Sequence, residues 1–209
     1  MEKVLLHACC APCSGAIVEW MGQNGIKPVI FYSNSNITPR DEYQHRLEEC
    51  IRYARKWGLE IVEDSYDHDA WLGCTLGLET EPERGARCLE CFKYRLLRAA
   101  QYAAANGFDT LATTLASSRW KSLEQVNAAG EWAYSQVTGV TWWARNWRAG
   151  GLQERRNQIL KEENFYRPLH RKTGEHLMRK VSKQEPPAMW FWKESRCRRP
   201  FVKWESPSG

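Results

Sequence analysis

No apolar run in the 209-residue sequence approaches the roughly 20 residues that a membrane-spanning helix needs. The N-terminal stretch MEKVLLHACC contains a short apolar segment but no signal-peptide cleavage pattern. The turn after that segment, CCAPCSG, lacks the glycines of a dinucleotide fingerprint and of a phosphate-binding loop. These absences predict a cytoplasmic protein without a membrane partner, and they argue against a flavin, nicotinamide or ATP-dependent enzyme.

Cysteine is also scarce, because eight cysteines in 209 residues are too few for a disulfide scaffold. Five of the eight are nevertheless clustered, and these are Cys9, Cys10, Cys13, Cys88 and Cys91. Adjacent cysteines rarely reach the geometry of a disulfide, so the clusters indicate metal binding or redox chemistry. Cys50 and Cys74 stand alone inside predicted helices, where a buried and inert thiol is the expected role.

Short apolar runs alternate with amphipathic stretches along most of the chain. The predicted strands cover residues 4–8, 28–32, 59–63, 109–115 and 140–144. The predicted helices cover residues 15–23, 39–57, 68–77, 88–105, 124–138 and 152–163, and Ser14 is the expected cap of the first. This alternation predicts an α/β fold whose parallel sheet has helices on both faces. Ligands of such sheets bind beyond the carboxyl ends of the strands, where Cys9, Cys10 and Cys13 fall.

Three kinds of chemistry fit the clustered thiols. An iron–sulfur cluster is held by about four thiolates, and five thiols at an active-site edge favour it. Structural zinc takes four soft ligands in a closed tetrahedral site. Thiols at helix N-termini have lowered pKa values and suit metal-free redox exchange. Zinc and metal-free chemistry therefore stay open beside the cluster.

Positive charge is concentrated at the C-terminal end of the chain. Residues 166–209 carry 11 Lys and Arg against 4 Asp and Glu, whereas the other residues carry 19 against 21. The same segment contains Trp190, Trp192 and Trp204. Aromatic stacking combined with positive charge is typical of proteins that bind single-stranded RNA. A solvated or disordered tail is the alternative interpretation.

Four segments resemble, in order and spacing, the QueH family of epoxyqueuosine reductases. They are LLHACCAPCSG, FYSNSNITPRDEYQHRLEE, GARCLECFKYRL and FDTLATTLASS, and the resemblance covers residues 3–167. That family is similar to the adenine-nucleotide-hydrolase branch of Rossmann-like folds. It reduces epoxyqueuosine in tRNA to queuosine. The resemblance therefore implies an oxidoreductase with a 4Fe-4S cluster, a tRNA substrate and an electron donor, either a protein or a small reductant.

The resemblance also implies roles for individual residues. The implied cluster thiolates are Cys9, Cys10, Cys88 and Cys91. Cys13 matches a position at which the family carries Cys or Asp, which implies a second iron or another metal there. The implied catalytic residues are Cys13, Tyr32, Asn34 and Tyr43. The implied substrate-binding residues are Asn36, Arg46, Thr113 and Thr114.

Ordinary structural roles are an alternative for several of these residues. Tyr43 and Arg46 also fit a helix that is packed on one face and solvated on the other. Thr113 and Thr114 also fit a simple cap on the fourth strand.

The chain departs from the family pattern at its C-terminus. Family members usually end soon after a phrase like Y-R-Q-x-Y-C-G-C, whereas Phe165-Tyr166-Arg167 is followed here by PLHR, without the two cysteines. We predict a metal-binding catalytic domain over residues 1–167 and an irregular, basic extension over residues 168–209. The extension is either a lineage-specific RNA-binding tail or a translated frameshift. His170 or Cys197 would have to replace the missing cysteines at a second metal.

Two other functions remain open beside the reductase. The same cysteines would serve a non-catalytic, zinc-dependent RNA-binding protein, or a thiol oxidoreductase without a metal. The electron donor and the oligomeric state are not predicted by the sequence.

Overall fold

The computed structural model describes residues 3–166, so the predictions for residues 168–209, including His170 and Cys197, lie outside the described residues. The strands are β1 (Val4–His7), β2 (Val29–Tyr32), β3 (Ile61–Glu63), β4 (Thr110–Thr113) and β5 (Thr141–Trp142). The helices are α1 (Ala11–Gln23), α2 (Arg40–Lys56), α3 (His68–Thr75), α4 (Ala86–Ala105), α5 (Leu123–Tyr134) and α6 (Leu152–Glu162). Within this range no helix combines the length and the apolar character that crossing a bilayer requires.

The five strands form one parallel sheet in the order β3-β2-β1-β4-β5. The chain winds outward from β1 through β2 to β3, and then returns to the other side of β1 for β4 and β5. The strand order therefore reverses between β1 and β4, where His7 is in register with Thr113. The connections that leave two such strands diverge and open a crevice at their carboxyl ends. This topology brings the residues that follow His7 and Thr113 to one crevice.

Both faces of the sheet are covered. All four residues of β1 and all four of β4 are buried, and successive side chains of a strand point to opposite faces. Leu5, Leu6 and Leu111 are fully buried, and each contributes about 2 kcal/mol to stability. Helices α1, α2 and α6 pack together as one group, and α3, α4 and α5 as another. The predicted α/β fold, with helices on both faces of a Rossmann-like parallel sheet, is confirmed.

The first helix begins four residues earlier than predicted. α1 starts at Ala11, with Cys10 as its N-cap and Pro12 in its first turn, where the missing N–H of proline has no partner to lose. The predicted cap at Ser14 is therefore wrong: its hydroxyl donates to the Cys10 carbonyl at 2.9 Å inside the first turn. The correction places Cys10 and Cys13 at the positive end of the helix dipole.

The fourth strand is shorter than predicted and the fourth helix is longer. β4 ends at Thr113, whose Oγ1 accepts a hydrogen bond from the Leu115 N–H at 3.2 Å and opens a 3₁₀ turn, Thr114–Ser117. α4 begins at Ala86, two residues before the predicted start. Cys88 consequently lies inside the first turn of α4.

Candidate metal centre

Three thiols meet beyond the carboxyl end of β1. The Sγ atoms of Cys9, Cys10 and Cys13 all lie within 4.8 Å of one another, and those of Cys9 and Cys10 are 3.9 Å apart. Cys9 and Cys13 are 8% and 7% exposed, and Cys10 is half-buried. In the part of the chain that the structure describes, no other group of three Cys, His, Asp or Glu side chains is as compact. This thiol group can hold a metal ion, because soft sulfur ligands bind metals such as zinc and iron.

The three thiols differ in how readily they lose a proton. Hydrogen bonds from Cys10 and Cys13 hold the pKa of Cys9 well below its usual value, against the opposing effect of burial. The pKa of Cys10 is raised well above its usual value, because its hydrogen bond to Cys13 and its burial both favour the protonated form. The charge of Lys121 also favours the Cys9 thiolate. Of the three thiols, Cys9 therefore loses its proton most readily, and the thiolate is the metal-binding form of cysteine.

Thr114 contacts Cys9 at two atoms. Its Oγ1 accepts a hydrogen bond from the Cys9 backbone N–H at 2.9 Å and donates one to the Cys9 Sγ at 3.3 Å. Thr114 is fully buried and comes directly after β4, the neighbour of β1 in the sheet. The structure thus places this predicted site residue against the thiol group, where it orients Cys9.

Thr114→Val is expected to destabilise the protein by about 1–3 kcal/mol, because the buried Cys9 N–H loses its acceptor. Thr114→Ser is the matched control: it keeps the hydroxyl, and the lost methyl group costs only about 1 kcal/mol. Urea unfolding of both variants and the wild type measures these differences. Equal stability of the valine and serine variants would show that the two hydrogen bonds contribute nothing measurable.

His7, the last residue of β1, is completely buried beside the thiol group. Burial, reinforced by the charge of Arg95, lowers the pKa of His7 to about 3, so the ring is neutral. Nε2 lies 3.2 Å from the Ser33 carbonyl, which only accepts, so Nε2 carries the proton. Nδ1 then accepts from the hydroxyl of Thr113 at 2.8 Å. The predicted site residue Thr113 is therefore engaged with His7, and the two join β4 to the loop after β2.

A buried arginine that the sequence analysis missed connects α4 to the loop after β2. Arg95 is only 3% exposed, its Nε donates to the Ser33 carbonyl at 3.1 Å, and a terminal nitrogen donates to Asn34 Oδ1. The Asn34 amide nitrogen donates in turn to the Ala8 carbonyl at 2.9 Å. Asn34, a predicted catalytic residue, thus fixes the backbone just before the thiol group. Arg95 lies one turn after Cys91, and this spacing on one helix face is the signal in the sequence.

Cys88 and Cys91 lie in the first two turns of α4, a helix that packs on β1 and β4. Both are half-buried, and the Cys88 sulfur accepts a hydrogen bond from the Arg84 N–H at 3.3 Å. The structure does not bring these two thiols into the compact group around Cys9. The four predicted cluster thiolates are therefore divided between the end of β1 and the start of α4.

Two buried tyrosines lie beside each other near β2. The ring centroids of Tyr32 and Tyr43 are 5.2 Å apart, and burial raises the pKa of both hydroxyls above the usual value. The Tyr43 hydroxyl donates to Glu63 at 2.9 Å, and that of Tyr32 is directed at the Tyr43 carbonyl at 3.4 Å. Both hydroxyls therefore stay protonated and already have acceptors.

The last two predicted site residues differ in what they offer to a ligand. Arg46 is paired with Glu42, one turn earlier on α2. Asn36, in the loop between β2 and α2, has a buried Oδ1 that accepts no hydrogen bond from the described residues. Asn36 consequently offers an unused acceptor, whereas Arg46 would have to release its partner.

The sheet order and the thiol group define a class of protein: a Rossmann-like α/β protein with thiols that can hold a metal ion at the switch point of its sheet. A family model described as epoxyqueuosine reductase QueH matches residues 4–169. A relative of that name from Histophilus somni is 46% identical over 165 residues, which span 79% of this chain and 68% of the relative. Relatives of the same name from Acinetobacter baylyi and Haemophilus influenzae are 45% and 43% identical, spanning 79% of this chain and 76% and 67% of their own lengths. The chain belongs to the QueH family of epoxyqueuosine reductases.

Proposed function

We propose that this chain reduces the epoxide of epoxyqueuosine in tRNA to queuosine, with a 4Fe-4S cluster bound by Cys9, Cys10, Cys88 and Cys91. The observation that carries the proposal is the position of the thiol group at the switch point of the sheet in a chain of this family. The relatives are named for the reductase reaction, and the thiol group can hold a metal ion.

The sulfur ligands fit the proposed cluster in number and in kind. Four thiolates are the usual ligand set of a 4Fe-4S cluster, and thiolates select such clusters over the ions that prefer oxygen. Cys9 and Cys10 would bind from the end of β1, and Cys88 and Cys91 from the start of α4. Thiolates of one cluster bind different irons, so their sulfurs lie farther apart than the ligands of a single ion. A set divided between two elements suits that requirement.

The reaction removes the epoxide oxygen as water and leaves an alkene, which consumes two electrons and two protons. When bound, the cluster supplies the electrons one at a time. The residues of the chain bind and orient the modified base: Asn36 offers its unused acceptor. Arg46, Thr113 and Thr114 are proposed as the further substrate contacts.

We assign four residues to catalysis beside the cluster. The sulfur of Cys13 lies within 4.8 Å of the Cys9 and Cys10 sulfurs, and Cys13 is proposed to hold a second iron or another metal. Asn34 keeps the backbone before Cys9 in place through its hydrogen bond to Ala8. Tyr32 and Tyr43, whose rings lie side by side, supply protonated hydroxyls near the loop that follows β2.

The proposal includes partners and a division of the chain. A cytoplasmic tRNA is the substrate, and a protein or a small reductant donates the electrons. Residues 1–167 form the catalytic domain in this proposal, and residues 168–209 form a basic extension that adds phosphate contacts.

Nucleoside analysis tests the proposed reaction. The anaerobically purified and reduced protein is incubated with tRNA that carries epoxyqueuosine, and the digested nucleosides are measured by mass spectrometry. We expect the modified nucleoside to lose one oxygen atom, with more product than protein when the reductant is in excess. Omitting the reductant is the control and is expected to leave epoxyqueuosine unchanged. No conversion by a reduced protein that has kept its iron would contradict the proposed function.

A zinc-dependent RNA-binding protein is the second candidate, and one distance favours it. Zinc–sulfur bonds of about 2.3 Å in a tetrahedral site place the ligand sulfurs about 3.8 Å apart. The sulfurs of Cys9 and Cys10 are 3.9 Å apart. Metal analysis separates this candidate from the reductase, because the one binds zinc and the other binds iron. A metal-free thiol oxidoreductase would keep its activity in the presence of a chelator.

A further inference from the structure

The segment between the 3₁₀ turn and α5 runs along the edge of the thiol group. Residues 118–122 are called the rim loop below. Ser117, immediately before it, donates from its Oγ to the Cys13 carbonyl at 3.1 Å. Within the loop, the Lys121 N–H donates to the Ser118 carbonyl at 3.1 Å. The rim loop is therefore attached to the β1 side of the cysteine set.

The rim loop is also attached to the α4 side, through Arg84. The Arg84 side chain donates to the carbonyls of Trp120 at 3.1 Å and of Arg119 at 3.0 Å. The backbone N–H of the same arginine donates to the Cys88 sulfur at 3.3 Å. A ligand seated on the rim loop would consequently lie near Cys13 on one side and near Cys88 on the other.

The rim loop exposes a large aromatic side chain. Trp120 is 50% exposed, and the Arg119 guanidinium lies 4.9 Å from the centroid of its ring. Tryptophan is enriched at interfaces, because burial of an indole contributes strongly to binding. The flat indole ring of Trp120 can stack on a flat ring of a bound partner.

Four cations belong to the rim loop or are hydrogen-bonded to it or to the residues just before it, and they have no carboxylate partner within residues 3–166. They are Arg84, Arg119, Lys121 and Arg148. Among the described residues, no Asp or Glu oxygen forms an ion pair with any of the four. Arg148 instead donates to the carbonyls of Ala116 and Lys121 at 3.1 and 2.8 Å. Backbone carbonyls hold such guanidinium groups in place without cancelling their charge.

Four arginines elsewhere in the fold are paired with carboxylates, unlike the cations at the rim, and these are Arg46, Arg52, Arg98 and Arg155. Arg155 on α6, for example, is paired with Glu19 of α1. Among the described residues, Arg84 forms no ion pair with the nearby Glu79, Glu81 or Glu83. Glu79 accepts from the Gly77 N–H and Glu81 from the Ala86 N–H.

We propose that the rim loop forms an RNA-binding surface of this protein, with Trp120 stacked on an unpaired nucleobase and Arg119, Lys121 and Arg148 on phosphates. The inference rests on the proposed function, since it takes tRNA as the substrate. Stacking on an aromatic ring beside cations is how proteins hold single-stranded RNA. Because the rim loop is linked through Ser117 to Cys13 and through Arg84 to Cys88, a nucleotide adjacent to the stacked one would reach the crevice at the end of β1.

Binding of a labelled tRNA anticodon stem-loop without epoxyqueuosine, measured by fluorescence anisotropy with the full chain, tests this surface. Trp120→Ala is expected to weaken binding about tenfold. Lys121→Gln is expected to flatten the slope of log affinity against log salt by about 0.7 to 0.9. A fully paired RNA duplex of the same length should show no loss with Trp120→Ala, because it offers no unpaired base.

Trp57→Ala and Lys27→Gln are the matched controls. Both residues are exposed and lie together at the opposite, amino-terminal edge of the sheet, so unchanged binding is expected. Wild-type affinity in the Trp120 and Lys121 variants would overturn the inference even if the protein reduces epoxyqueuosine. Selective loss of binding in these variants would support the inference even if no reduction occurred. An equal effect of Trp120→Ala on the hairpin and the duplex would overturn the stacking role.

Discussion

Cys88→Ala and Cys91→Ala are each expected to reduce the iron content of the protein to background and to abolish product formation. Each substitution removes one proposed cluster thiolate from the first two turns of α4. Both positions are half-buried, and a cluster that loses a thiolate at a partly exposed position is open to oxidative loss. Iron analysis of anaerobically purified protein, together with the nucleoside assay, measures both effects.

Cys50→Ala and Cys74→Ala are the matched controls, with the same substitution at buried cysteines outside the thiol group. Burial raises the pKa of the Cys50 thiol well above its usual value, so this thiol stays neutral and is a poor metal ligand. Full iron content is expected in both controls. Full iron content in the Cys88 and Cys91 variants would show that the α4 cysteines are not ligands.

Arg95→Met is expected to lower the free energy of unfolding by roughly 2–5 kcal/mol, because it removes two buried hydrogen bonds from a charged donor and leaves one acceptor unsatisfied. The unsatisfied acceptor is Asn34 Oδ1, whereas the Ser33 carbonyl keeps its hydrogen bond from His7 Nε2. The loss also frees the loop that holds the Ala8 carbonyl, so iron loading should fall together with stability. Urea unfolding and iron analysis of the same samples measure the two effects.

Lys93→Met provides a control on the same helix. Lys93 pairs with Glu90 at 3.0 Å at a partly exposed position, and such pairs contribute less than about 1 kcal/mol. Arg95→Lys keeps the charge without the planar fork and is expected to be intermediate. Wild-type stability and iron content in Arg95→Met would show that the buried hydrogen bonds of Arg95 are not needed to position the loop.

The strands could be predicted because a strand that is buried on both faces is a continuous apolar run in the sequence. Val4–His7 reads as a buried strand because both of its faces are covered. Helix starts were harder to predict, because more than one residue near the start of α1 has the chemistry of a terminus. Ser14 suits a cap and Pro12 suits a first turn, and only the fold shows that Cys10 takes the cap position.

The candidate site could be predicted only as far as its residues are neighbours in the chain. Cys9, Cys10 and Cys13 share one turn, so their proximity follows from their spacing. Arg95 was missed because an arginine on an amphipathic helix is normally solvated. Its burial depends on hydrogen-bond acceptors that are distant in the sequence. One of them, Asn34, lies 61 residues before Arg95.

The division of the cysteine set was only partly visible in the sequence. The two motifs predicted two groups of thiols, and the structure places them on β1 and α4 as separate groups. Binding of both groups to one cofactor is decided by the metal, and neither the spacing of the cysteines nor the fold includes a metal. The assignment of Cys88 and Cys91 to the same cluster as Cys9 and Cys10 stays a prediction.

Iron and acid-labile sulfide analysis of the anaerobically purified full chain, combined with its visible spectrum, tests the central claim most directly. We predict about four irons and four sulfides per chain and a broad absorbance at about 400 nm from thiolate-to-iron charge transfer. About one zinc per chain, with no sulfide and no colour, would contradict the account and favour a structural metal site.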